Sequence, residues 1–180
     1  MRLSIQKEEG NWRLSDMEEI HVQLLRQAAD DASMTDCPEG RLRMVPKPVA
    51  PQDELREGEF LEDWNEYVAE DLENQFAGDV GTLLADLDSL ESYTLEEDPD
   101  EELYSVAVPI ANGMAWFSTL NQARIMLDQH FILHPHGQEF EPHPDEELIP
   151  GVDVSERFTA YMRYEFYAVL QEWLVKEVLE

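Results

Sequence analysis

The stretch Ala115-Trp116-Phe117-Ser118-Thr119-Leu120-Asn121-Gln122-Ala123-Arg124-Ile125-Met126-Leu127 decides how the rest of the chain must fold. With Ile110 and Met114 before it and Phe131 after it, apolar residues recur at three- and four-residue intervals, which predicts a helix over about 109–132. Ile110, Met114, Phe117, Leu120, Leu127 and Phe131 share one side, and Trp116, Ile125 and Met126 widen it. So broad an apolar surface predicts a central helix with other helices around it. Inside it stands Arg124, the first cation after Arg56: the 67 residues between them hold 18 acids and no Lys or Arg.

The whole chain of 180 residues carries 41 acids against 12 Lys and Arg, a net charge of -29. Self-repulsion on that scale opposes compaction. Against it stand 43% hydrophobic residues, four Trp and seven Phe, enough to build a core, so a folded domain with an acidic surface is expected over 1–180. Phosphate backbones and anionic headgroups are repelled, which disfavours nucleic acid and membrane surfaces, whereas basic protein surfaces are attracted. With Lys7, Lys47 and Lys176 the only lysines, a solubility or salt-adaptation trait of the source would give the same excess. Cys37 alone cannot form an internal disulfide, and no N-terminal apolar leader or membrane-length run is present, so the expected location is cytoplasmic.

Outward from the central helix, Leu3, Ile5 and Lys7 alternate, turn at Glu9-Gly10-Asn11 and resume at Trp12 and Leu14, which predicts a short hairpin. Ser15 and Glu18 read as a capping box opening a first helix on Met17, Ile20, His21, Leu24, Leu25, Ala28, Ala29 and Ala32. Residues 34–52, with Pro38, Pro46, Pro48 and Pro51, read as an extended connection holding the one basic patch, Arg41, Arg43 and Lys47. A second helix is expected from Asp53 through Phe60, Trp64, Tyr67, Val68, Leu72 and Phe76, broken near Gly78 and Gly81, then continuing to Leu90. Residues 91–102 read as an acidic connector and 103–108 as a short strand that can pair with the hairpin. Five prolines and glycines between His134 and Gly151 predict a loop, and Asp153 or Ser155 caps a last helix. The expected fold is mainly α: a bundle of four to five helices with a small N-terminal β-hairpin and room for one further short strand.

Polar residues on apolar stripes are the first candidates for a site, because burying them unpaired costs several kcal/mol. Asp71, between Val68 and Leu72, and Asn121 with Arg124 meet that description, and a buried Asp71–Arg124 pair with Asn121 alongside is expected; the alternative is an Arg124–Asp128 pair near the surface. His130, His134, His136 and His143, with Glu139, Glu141 and Asp145 interleaved, offer a divalent metal imidazole and carboxylate ligands, although the spacing fits no closed template. Glu18-x-x-His21 lacks the second copy a di-iron bundle needs, so His21 reads as a satisfied core or boundary histidine. Cys37 has no base beside it and no Gly-x-Ser-x-Gly elbow occurs, so no catalytic residue can be nominated and the balance leans away from an enzyme. The last helix has more aromatics than one stripe buries; Tyr161, Tyr164, Tyr167 and Trp173 are therefore candidates for docking a protein partner or a second copy.

The segment Trp116-Phe117-Ser118-Thr119-Leu120-Asn121-Gln122-Ala123-Arg124-Ile125-Met126-Leu127 resembles the Trp-Leu-x-x-Leu-Asn-Asp-x-Arg-Leu-x-Leu pattern of a bacterial domain-of-unknown-function family, numbered two thousand and seventeen. Arg41-Leu42 leading into Val45-Pro46, Glu70-Asp71-Leu72 and the amphipathic C-terminal helix follow in the same order, so the resemblance covers nearly the full chain. Gln122 and Asp128 depart from the pattern, where the family has Asp and Gly, which marks a divergent member. The resemblance implies no activity, cofactor or catalytic residue. Actinobacterial members are commonly encoded beside the adaptor of the Clp protease, which implies a role near regulated proteolysis. The expectation is thus an acidic interaction or regulatory protein, with a metal-dependent protein using the His130 to His143 loop as the alternative.

Overall fold

The computed structural model describes residues 3–96, 98–134 and 153–179. Strands β1 (Ser4–Lys7) and β2 (Asn11–Met17) form the expected hairpin, followed by helices α1 (Glu19–Ala32) and α2 (Pro38–Met44). Helix α3 (Gly58–Trp64) passes through a π-helical turn (Asn65–Ala69) into α4 (Glu70–Leu87); β3 (Glu91–Leu95), β4 (Asp98–Pro109), α5 (Gly113–Phe131) and α6 (Val154–Leu174) complete the order. Counting α3 to α4 as one rod, the described residues hold five helices.

The β part is larger than a hairpin. All four strands pair antiparallel in the order β1-β2-β4-β3. Trp12 faces Val108 and Leu14 faces Val106, so the strand expected at 103–108 does pair with the hairpin. The supposed acidic connector is β3 and the start of β4. As an edge strand β3 buries nothing fully, and over five residues only Tyr93 and Leu95 turn partly inward, too few apolar positions for a hydrophobicity reading to show its period.

Helix α5 is central, as its apolar breadth requires. It packs against α1, α2, α4 and α6. Trp12 meets Trp116 edge to face at 5.0 Å, joining sheet and bundle, and Leu25, Leu83, Leu87, Leu120, Leu127 and Leu174 are fully buried around them. A Cβ at Gly40 would fall on the Met126 sulfur, so glycine there lets α2 lie against α5.

Three local expectations change. Ser15 is paired with Ser4 inside β2, so α1 begins later: Glu18 is the N-cap, and its N–H donates to His21 Nδ1 at 3.0 Å. His21 is thereby a buried, satisfied boundary residue. The proline-rich segment is not extended throughout, because Pro38 occupies the first turn of α2, where its missing N–H is harmless. No break occurs at Gly78 or Gly81; two exposed glycines cost about 1 kcal/mol each, and the buried Val80, Leu83 and Leu87 hold the helix through them. The irregularity lies earlier, in the π-helical turn at Asn65–Ala69.

Helix α5 ends on a strained residue. Ile132 takes the left-handed conformation, φ 50° and ψ 57°, which a β-branched side chain disfavours by about 1–2 kcal/mol. Arg157 of α6 holds this end, with Nε donating to Phe131 O at 3.1 Å and Nη2 to Ile132 O at 2.6 Å. Ile132→Asn, keeping the backbone and relieving the side chain, is expected to raise stability by roughly 0.5–1 kcal/mol in urea titration.

Candidate functional site

Arg124 sits between α5 and α6 and has no carboxylate partner among the described residues. Its Nη1 donates to Gln171 Oε1 at 2.6 Å and its Nη2 to the Tyr164 hydroxyl at 2.8 Å, while its Cζ lies 4.5 Å from the Tyr164 ring centre. Gln171 in turn donates to Phe117 O at 3.0 Å. The buried Nε of Arg124 has no acceptor among the described residues. The expected partner, Asp71, is exposed on α4, and Asn121 is exposed on α5. The reason is the π-helical turn: one extra residue slips the helical phase by about 100°, so the stripe counted from Phe60 does not continue onto the buried side of α4. Arg124 still ties two helices together, but through neutral acceptors on α6.

The buried carboxylate is instead Asp31. It is almost inaccessible on α1, accepts from the Tyr167 hydroxyl at 2.9 Å and from Gln27 Nε2 at 3.2 Å, and faces Arg163 Nε at 3.3 Å. Burial pushes its pKa above the ordinary value, against the opposing charge of Arg163 and the hydrogen bonds of Tyr167 and Gln27. Burial and the neighbouring Asp31 charge hold the Tyr167 hydroxyl protonated far into the alkaline range. A second carboxylate, Asp86, accepts from Trp116 Nε1 at 2.8 Å and Asn112 Nδ2 at 3.0 Å, joining α4 to α5. The rule applied to Asp71 would have found Asp31, which lies one turn after Ala28 on the α1 stripe; nothing local marks Gln171.

Of the candidate metal ligands, His136 and His143 lie outside the described residues. His130 is exposed, its ring edge-on to Phe131. His134 Nδ1 lies 2.8 Å from Asp128 Oδ1, and Arg43 Nη1 donates to Asp128 Oδ2 at 2.7 Å. Asp128 is thus engaged by Arg43 and His134. Burial raises its pKa, but the hydrogen bonds and charges of His134 and Arg43 outweigh that and bring it below the ordinary carboxylate value. Among the described residues no group of three His, Cys, Asp or Glu converges as a metal site.

The docking candidates on α6 point the other way from the expectation. Tyr167 is fully buried, and Tyr161, Tyr164 and Trp173 pack half-buried against the core. An antiparallel neighbour, α5, covers that side and leaves a different row outside: Val154, Phe158, Met162 and Val169, at four- and seven-residue spacing, are all exposed, with Phe158 44% and Met162 53% accessible. Exposed Glu165 and Glu172 continue the row. Aromatic content alone could not tell which side of α6 would be covered.

No described helix is long and apolar enough to cross a membrane. A family model described as a domain of unknown function, DUF2017, matches residues 2–178. No curated protein and no solved structure matches the chain.

Proposed function

The chain belongs to the DUF2017 family, whose description carries no activity, and from that premise we propose that it is an acidic protein-interaction or regulatory protein that docks a protein partner through the outer row of α6. One observation carries the reading: four large apolar side chains, Val154, Phe158, Met162 and Val169, stand uncovered along one face of a helix whose opposite face is in the core. Water-facing apolar rows of this kind mark binding surfaces in soluble proteins. The net charge of -29 repels a second copy and any phosphate backbone, so the partner is a protein with a basic surface. A single cysteine and this charge fit a cytoplasmic setting.

The test is capture from the native host with the intact chain and with Phe158→Ala/Met162→Ala as baits. Both residues are exposed, so the variant should melt within a few degrees of the original. Recovery of a specific protein is expected to fall at least tenfold, about 1.4 kcal/mol of binding. Equal recovery by both baits would remove α6 as the docking surface.

A further inference from the structure

We infer that the helical arm from Gly58 to Asp71 is a second contact surface, built to receive a Lys- and Arg-rich amphipathic helix of a protein partner. The inference rests on the reading of the chain as an interaction protein but on a different face of it. From Pro51 to Ala69 no residue is buried. Phe60 is 49% and Tyr67 63% accessible, and Val68 is exposed beside them. A helix that was merely part of the bundle would turn these side chains inward, as the sequence pattern led one to expect. Tyr67 and Val68 lie within the π-helical turn, and such turns recur at binding sites.

The charge on the arm chooses the occupant. Glu59, Glu62, Asp63, Glu66, Glu70 and Asp71 are all exposed, and none has a cationic partner among the described residues. The cations nearest the arm, Arg41, Lys47 and Arg56, are paired with other acids: Glu73, Glu54 and Glu57. Residues 57–175 contain three cations, Arg124, Arg157 and Arg163, and each is turned into the fold: Arg124 onto Gln171 and Tyr164, Arg157 onto the carbonyls of Phe131 and Ile132, Arg163 onto Asp31. Carboxylates left unpaired beside exposed aromatic rings are complementary to cations on long aliphatic stems, which can pair with the acids while lying over Phe60 and Tyr67. A place for the apolar side of the incoming helix adjoins them: a cleft of about 280 Å³ between the arm and α2, where Leu42, Val45, Trp64 and Ala69 lie beside Arg41 and Lys47, whose charges are taken up by Glu73 and Glu54. Nucleic acid, anionic lipid and a second copy of this chain all carry the wrong sign.

The probe is a synthetic peptide of Leu, Lys and Arg patterned as an amphipathic helix, titrated calorimetrically into the intact chain at low and at physiological salt. Phe60→Ala/Tyr67→Ala leaves every charge in place and removes no buried residue, so its melting temperature serves as a folding control. It is expected to weaken the peptide at least tenfold at physiological salt, and Glu62→Gln/Glu66→Gln to weaken it chiefly at low salt, where screening is least. If the Phe60→Ala/Tyr67→Ala variant binds as tightly as the original, the attraction is that of any polyanion and the inference is overturned. If Phe158→Ala/Met162→Ala loses the peptide while the arm variant keeps it, the arm is again ruled out and α6 stands. Loss on the arm variant with unchanged native-host capture by the α6 variant has the converse meaning: the arm holds, and the α6 reading fails.

Discussion

Asp31→Ala is expected to lower folding stability by about 3 kcal/mol, because it removes the carboxylate that accepts from the buried Tyr167 hydroxyl and from Gln27 and that faces the charge of Arg163. Urea unfolding followed by tryptophan fluorescence checks it, and a loss below about 1 kcal/mol would mean that Leu24 O, to which the Tyr167 hydroxyl also donates at 3.2 Å, suffices as its acceptor. Asp31→Asn, which keeps an acceptor, should lose less at neutral pH. Its pH dependence carries a sign. The folded pKa of Asp31 lies above its unfolded value of 3.8, so between the two the native state binds more protons, and stability falls as pH rises through the folded pKa. The original protein therefore gains stability from this group on acidification towards 3.8, and the Asn variant does not. The gap between them is expected to widen as pH falls. Asp128 acts in the opposite sense and in a lower window: its folded pKa is depressed, so its contribution is present above 3.8 and is lost as pH falls through the folded value.

Arg157→Ala is expected to cost a further large amount, about 3 kcal/mol. Two charge-assisted hydrogen bonds to Phe131 O and Ile132 O disappear, and the end of α5 that they hold already carries the strain of Ile132. Arg157→Lys should recover less than half of the loss, since one ammonium cannot reproduce the planar fork that reaches two successive carbonyls. Hydrogen exchange supplies the local readout: faster exchange confined to the last turn of α5 is expected in both variants, and uniform acceleration along the chain would point to a general core defect instead.

Much of this was legible in the order of residues. The breadth of the apolar surface on 109–132 predicts a helix surrounded on several sides, and α5 is that helix. Asp153 reads as a cap and accepts from the N–H groups of Ser155 and Glu156. The alternation at 103–108 reads as a strand and pairs with β2. Where the reading failed, a particular physical term was missing. β3 is a five-residue edge strand in which only Tyr93 and Leu95 carry the alternation, too few to mark it. Pro38 is compatible with a helix start as well as with a loop. A π-helical turn at Asn65–Ala69 contains one residue more than a periodic count allows, and that single slip moved Asp71 from the expected core to the surface.

The candidate site divides along the same line. That the protein is a folded, acidic, mainly helical object with Arg124 inside its central region follows from composition and spacing alone, because hydrophobic periodicity is a property of neighbours along the chain. Which acid is buried, which neutral groups receive Arg124 and which side of α6 and of the Gly58–Asp71 arm meets water were decided only by tertiary structure. Those choices depend on which helix covers which, through contacts between residues 40 to 171 positions apart, such as Arg124 with Tyr164 and Lys7 with Val178 O. Within one helix an apolar face bound for the core and one left for a partner obey the same period, and only the neighbours that arrive on folding distinguish them.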